Sequence, residues 1–222
     1  MTLKSYIKNK KQNRYSILGI HVEEYDIPEN ISVKKTVESA LSRIPRHLTS
    51  YIKHIKVGPF SVLKDRNIQA MYKDNTIYAT NVQKNSDDLL DDLIHEFAHS
   101  IEDYRNNDIY GDGTVEREFL LKREKMWSKL KSRGIEYDLR PFLNPKYSKE
   151  FDHLLHGVIG YDTIRVMTRD IFYSPYASTS LREYFANGFE AFFMREEVRR
   201  LKSISPALYK KIIFLMDNKD EI

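Results

Sequence analysis

The sequence predicts an α+β fold, with a small mixed β-sheet and its helices in the first third and a mostly helical remainder. Three observations carry this. Short alternating apolar runs cluster before residue 81, helical periodicity dominates from residue 86 on, and Gly, Pro and Asn-rich turns separate the runs. No internal repeat or low-complexity block interrupts the pattern. One domain is expected over 1–222, with a sheet-containing N-terminal lobe at 1–104 and a helical lobe at 105–222.

The elements can be justified in order. Tyr15 to Ile27 reads as one extended segment, with Ile17, Ile20 and Val22 as its apolar residues and Pro28 at its end. Ser32 is a candidate N-cap for a helix carrying Val33, Val37, Leu41 and Ile44, which Pro45 stops. Tyr51 to Phe60 reads as a strand ending at Gly58-Pro59. Asn67 to Tyr72 and Thr76 to Thr80 alternate on either side of Lys73-Asp74-Asn75, a hairpin pattern. Ser86 to Tyr104 is the clearest helix. Helices are also expected over Val115 to Arg133, closed by Gly134, over Ser148 to His156, over Ser180 to Arg195 and from Pro206 through Asp217. Gly157 to Pro175 has no clear periodicity.

Composition narrows the classes of function. The chain has 222 residues, 41% of them hydrophobic with 15 Tyr and 11 Phe, enough for a sizeable core. No stretch of 18 apolar residues occurs, so no membrane span is expected. The net charge of +4 is scattered among acidic residues, which predicts a solvated surface and no nucleic-acid partner. With no Cys there can be no disulfide, thiolate ligand or Cys nucleophile, and any metal must be held by His, Asp, Glu or Tyr. Met1 to Ile20 is basic and lacks the apolar core of a signal peptide. That predicts a solvated terminus and a cytoplasmic or non-classically delivered protein.

His95-Glu96-Phe97-Ala98-His99 is an H-E-x-x-H motif. On a helix, residues four apart share a face, so both imidazoles can reach one ion, and Zn2+ takes neutral His nitrogen readily in a four-ligand tetrahedron. Glu96 then lies beside the ion, where it can take a proton from water and later return it to a leaving amine. At about 100° per residue, Asp88, Asp92, Glu96, His99, Glu102 and Asp103 share a polar arc with His95. Leu89, Leu90, Leu93, Ile94, Phe97, Ala98, Ile101 and Tyr104 fill the opposite arc. The motif therefore predicts metal-dependent hydrolysis, set against the plain reading of a solvated helix face.

Two His do not complete a zinc site. The longer H-E-x-x-H-x-x-G-x-x-H pattern needs Gly at 102 and His at 105, where this chain has Glu102 and Arg105. Glu102 shares the His face but sits too close along the helix to complete a tetrahedron. Glu118 and Glu183 remain as candidates. Glu118 also reads as part of a solvated helix face, and Ser180-x-x-Glu183 also reads as a capping box. His153 and His156, three apart, could supply a donor or simply pack on a helix.

His95-Glu-Phe-Ala-His99 followed by Tyr176-x-x-Thr179-x-x-x-Glu183-Tyr-Phe-Ala-x-x-Phe189 resembles the zincin-like metallopeptidase family of anthrax toxin lethal factor and the secreted Pro-Pro endopeptidases. The clear match covers Asp88 to Asp103 and Tyr176 to Phe193, with a looser one in the last helix. The resemblance implies that Glu183 is the third zinc ligand and that Tyr176 stabilises the oxyanion. The spacing of Glu118 resembles the aminopeptidase branch of the gluzincins instead. Asn187 departs from the family, which tends to carry an acid four residues after the ligand Glu, and Gly157 to Pro175 looks like an addition.

These readings combine into a zinc-dependent endopeptidase. His95, His99 and Glu183 are the expected ligands, Glu96 the general base and Tyr176 the oxyanion donor. The expected substrate is an extended peptide or protein segment, paired as an added strand along Thr76 to Thr80, and the expected state is a monomer. The alternative is a non-catalytic zinc-binding or partner-binding module on the same scaffold. The family is largely secreted, which leaves an extracellular location open.

Overall fold

A computed structural model describes residues 12–194 and 198–217. The reading of the basic N-terminal stretch falls outside the described residues up to Lys11, as does Arg195 at the end of its helix. The fold is α+β, and the chain divides into two compact units between Tyr104 and Arg105. No helix among the described residues is long and apolar enough to cross a membrane.

The first unit is built on a five-stranded sheet ordered β1-β2-β3-β5-β4. Strands β1 (Gln12–Ile17) and β2 (Ile20–Tyr25) form an antiparallel hairpin. The single extended segment expected here is therefore two strands, reversed at Leu18-Gly19, where both residues take positive φ (50° and 88°). A leucine in that conformation is uncommon, and so the turn is hard to see in the sequence. Helix α1 (Val33–Arg43) follows and buries Val33, Val37, Ala40 and Leu41. After the short α2 (Arg46–Thr49), β3 (His54–Val57) pairs parallel with β2.

The strand read over Tyr51 to Phe60 is shorter than expected. Phe60 opens α3 (Ser61–Arg66), which Asn67 ends at φ 52°. Then β4 (Ala70–Lys73) and β5 (Thr76–Ala79) form the expected hairpin, with Asp74 and Asn75 at φ 49° and 59°, the conformation a two-residue reversal needs. Strand β5 lies between β3 and β4, so its backbone is paired on both sides. Thr76 to Thr80, expected to offer an edge to an added strand, is thus interior, and the last strand on that side of the described sheet is β4.

Helix α4 (Ser86–Tyr110) starts at Asn85, whose Oδ1 accepts from Asp87 N (2.8 Å) and Asp88 N (2.9 Å). Leu89, Leu90, Leu93, Ile94, Phe97, Ala98 and Ile101 are all buried, as the periodicity requires. Tyr104 is an exception on that arc. It is half exposed and stacks on Tyr51 with ring centroids 4.5 Å apart. The helix is interrupted at Arg105 (φ −115°, ψ 25°).

The second unit is helical. Helix α5 (Thr114–Lys131) is followed by a 3-10 turn over Arg140–Leu143 and by α6 (Lys149–His153). The stretch without clear periodicity resolves into a π turn (Leu154–Ile159), running straight on from α6, and α7 (Tyr161–Thr168). A 3-10 turn at Tyr176–Ser178 then leads into α8 (Leu181–Met194), followed by α9 (Val198–Ile204) and α10 (Pro206–Asp217).

Helices α8 and α10 meet closely at Gly188, where an added Cβ would lie 2.3 Å from Leu208 Cδ2 and 3.0 Å from its Cγ. Leu208 is fully buried and has nowhere to retreat. Gly188→Ala should therefore lower stability by about 1–2 kcal/mol, although helix propensity alone favours Ala by about 1 kcal/mol. Urea unfolding checks this, and a more stable variant would show that the contact relaxes freely.

Candidate metal centre

The polar arc of α4 is exposed at Asp103 but is not a solvated face in its middle. Glu96, His99 and Glu102 are 7%, 6% and 6% exposed, and His95 is half-buried. Charged groups are seldom buried without partners, and each of these three has one. His99 Nδ1 lies 3.4 Å from Glu102 Oε2, a long hydrogen bond between two buried side chains. Glu96 Oε2 accepts from Tyr72 N on β4 at 2.6 Å.

The two imidazoles sit side by side, with ring centroids 4.9 Å apart and planes at 82°. One ligand atom from each of His95, Glu96 and His99 lies within 4.8 Å of the others, and this is the group able to hold a metal among the described residues. Two nitrogens on one tetrahedral zinc stand about 3.3 Å apart, a separation inside the 4.8 Å span of the group. The donor set fits zinc. With Glu102 accepting at Nδ1, the His99 proton sits there and Nε2 keeps its lone pair for a metal.

The Glu96 contact also orients the sheet edge. Thr80 N donates to Gln69 O at 2.8 Å, and antiparallel pairs alternate, so Ala70 and Tyr72 present their backbone groups outward from β4. Glu96 receives one of them.

The remaining expected residues belong to the second unit. Glu183 is in the first turn of α8, where its N–H donates to Ser180 Oγ at 3.1 Å, so Ser180 is an N-cap as its position suggested. Tyr176 stands on the 3-10 turn before α8 and is 40% exposed. Loss of hydration pushes the pKa of its phenol well above the ordinary value. The negative charge of Glu183 adds to this, with smaller contributions from Tyr161, Asp152 and Tyr147. Tyr176 is protonated at neutral pH, as an ordinary phenol is, and the shift extends that to higher pH. His156 packs edge-on against Tyr161 with centroids 5.0 Å apart, and the His153 ring lies against Gly157, so both His side chains have packing roles.

Glu118 is fully engaged elsewhere in the second unit. Its carboxylate accepts from Tyr184 Oη (2.7 Å), Ala207 N (2.8 Å) and Leu208 N (3.2 Å), which makes it the cap of α10. Ligating a metal would leave those N–H groups and the Tyr184 hydroxyl without their acceptor.

Sequence reasoning weighed Glu102 only as a ligand and missed it as the partner of His99. The signal was present, since residues three apart on a helix are neighbours. The Tyr72 N–H could not be found this way, because a backbone donor leaves no mark in the residue type.

Two substitutions separate these roles. Glu102→Ala should weaken zinc binding by about 10- to 100-fold while the chain stays folded. Glu118→Ala should leave zinc affinity unchanged and lower stability by about 1–2 kcal/mol through loss of the α10 cap. Competition with a chelator reads the first and urea unfolding the second. Metal loss in Glu118→Ala would reverse the assignment. Set beside known proteins, the chain matches no family model, no curated protein and no solved structure, so the site is interpreted from its own residues.

Proposed function

We propose that this chain is a zinc-dependent endopeptidase. The observation that carries the reading is the His95-Glu96-His99 group, with Glu96 and His99 buried and Glu102 beside His99 Nδ1. A solvated helix face would have needed none of this. His95 and His99 are the proposed zinc ligands, and Glu183 is added on the strength of the sequence resemblance. Zinc held there would supply Lewis acidity and make hydroxide available near neutral pH.

The chain's own residues account for the other roles. An extended peptide pairs with the outward groups of β4 that Glu96 leaves open, those of Ala70 and the carbonyl of Tyr72, which presents its backbone to the helix bearing Glu96. Glu96 removes a proton from the attacking water and delivers it to the departing amine. The Tyr176 phenol, protonated at neutral pH, donates to the oxyanion as the carbonyl becomes tetrahedral.

Glu96→Gln should retain zinc and lose at least about 100-fold in kcat on an unfolded protein substrate. Glu183→Ala should lose most of its zinc, measured by elemental analysis of the purified protein. A Glu96→Gln variant as active as wild type would defeat the peptidase reading. A wild type that binds zinc stoichiometrically and hydrolyses no peptide would point to a zinc-binding module instead.

A further inference from the structure

We propose that Asn187 is a positioning residue for Tyr176, acting through Ser174. The inference rests on the proposed role of Tyr176 as oxyanion donor. Asn187 stands one helical turn after Glu183 on α8 and is 4% exposed. Its Oδ1 accepts a hydrogen bond from Ser174 Oγ, and Ser174 Oγ in turn accepts from Ala177 N at 3.2 Å. The direction is fixed by chemistry. Because an amide oxygen can only accept, the Ser174 hydroxyl gives its proton to Asn187 Oδ1 while its oxygen receives the N–H of Ala177.

This relay ties α8 to the turn carrying Tyr176, and the rest of the turn is closed by local bonds. Ser178 N and Oγ both donate to Pro175 O (3.1 and 2.6 Å), and Thr179 N and Oγ1 both donate to Tyr176 O (3.0 and 2.8 Å). Ser178 and Thr179 are buried, so those bonds are shielded from water. The turn is therefore stiff in itself, and Asn187 sets where it sits relative to the helix that bears Glu183. A misplacement of about 1 Å at a catalytic donor can lower a rate by about 100-fold.

The test is a double-mutant cycle on the full chain, reading kcat, KM and zinc content. Asn187→Leu keeps the branching at Cγ and removes the acceptor. It should lower kcat by about 10- to 100-fold with zinc content and KM near wild type. Asn187→Asp restores an acceptor and should recover most of that loss, and Ser174→Ala should reproduce it. In a Tyr176→Phe background, Asn187→Leu should add almost nothing, because both changes remove the same donor. An Asn187→Leu loss that multiplies in full with Tyr176→Phe would overturn the proposal.

Amide exchange at Ala177 provides a readout independent of activity. It should quicken by at least about tenfold in Asn187→Leu as the relay loosens, and unchanged exchange would overturn the anchor even if activity fell. A wild type with no peptidase activity, together with quickened exchange, would defeat the functional reading and with it the role of Tyr176. The failure of that reading is thereby distinguished from failure of the relay.

Discussion

Burying the polar arc of α4 is the constraint on which the rest of the first unit depends. Two imidazoles and two carboxylates along one helix face would ordinarily stay in water. Removing them from water without partners costs several kcal/mol for each charged group. The structure meets this in two places. Glu102 takes the Nδ1 side of His99, and the edge of the sheet takes one oxygen of Glu96. The first is made within α4 itself, while the second needs α4 held against the sheet, where its apolar arc is buried from Leu89 to Ile101. The same helix thus supplies the hydrophobic anchor and the polar centre, and its 3.6-residue period keeps the two apart.

The role of β4 follows from this. An edge strand exposes unpaired backbone groups, a liability that folds generally cover. Here one outward N–H of the edge, at Tyr72, is capped by the side chain proposed as general base. Substrate docking and proton transfer would then share one short stretch of backbone. Had β5 been the edge, as the sequence order suggested, the groups facing an added strand would have come from Thr76 to Ala79, and those are paired with β3 and β4.

Much of the fold could be read from sequence where the determining physics is local. Asp74-Asn75 marked its hairpin because those residues tolerate the positive φ it needs, and the apolar arc of α4 followed from periodicity alone. The reversal at Leu18-Gly19 escaped because Leu rarely adopts such a conformation, so two strands read as one. Strand order escaped for a different reason. The parallel pairings of β2 with β3 and of β3 with β5 join segments far apart in sequence, and no turn residue encodes them. At the site, the H-E-x-x-H spacing was readable because helix geometry alone places its side chains together. The partners of those side chains were not, whether a backbone N–H for Glu96 or Ser174 for Asn187.

Glu118 and Glu183 show why residue type is not enough to assign a ligand. Both are glutamates within a helix, at spacings that zinc peptidases use. For Glu118 the deciding fact is the demand already placed on its carboxylate. Glu118 holds two N–H groups at the start of α10 and the Tyr184 hydroxyl, so its charge is compensated by the positive end of that helix. Tyr184 is the residue after Glu183, which gives adjacent positions on α8 different roles. One secures the helix against Glu118. The other lies close enough to Tyr176 for its charge to help raise the pKa of the phenol. A carboxylate that caps a helix cannot leave without exposing the groups it satisfies, so its engagement argues for a structural role more strongly than its spacing argues for a metal.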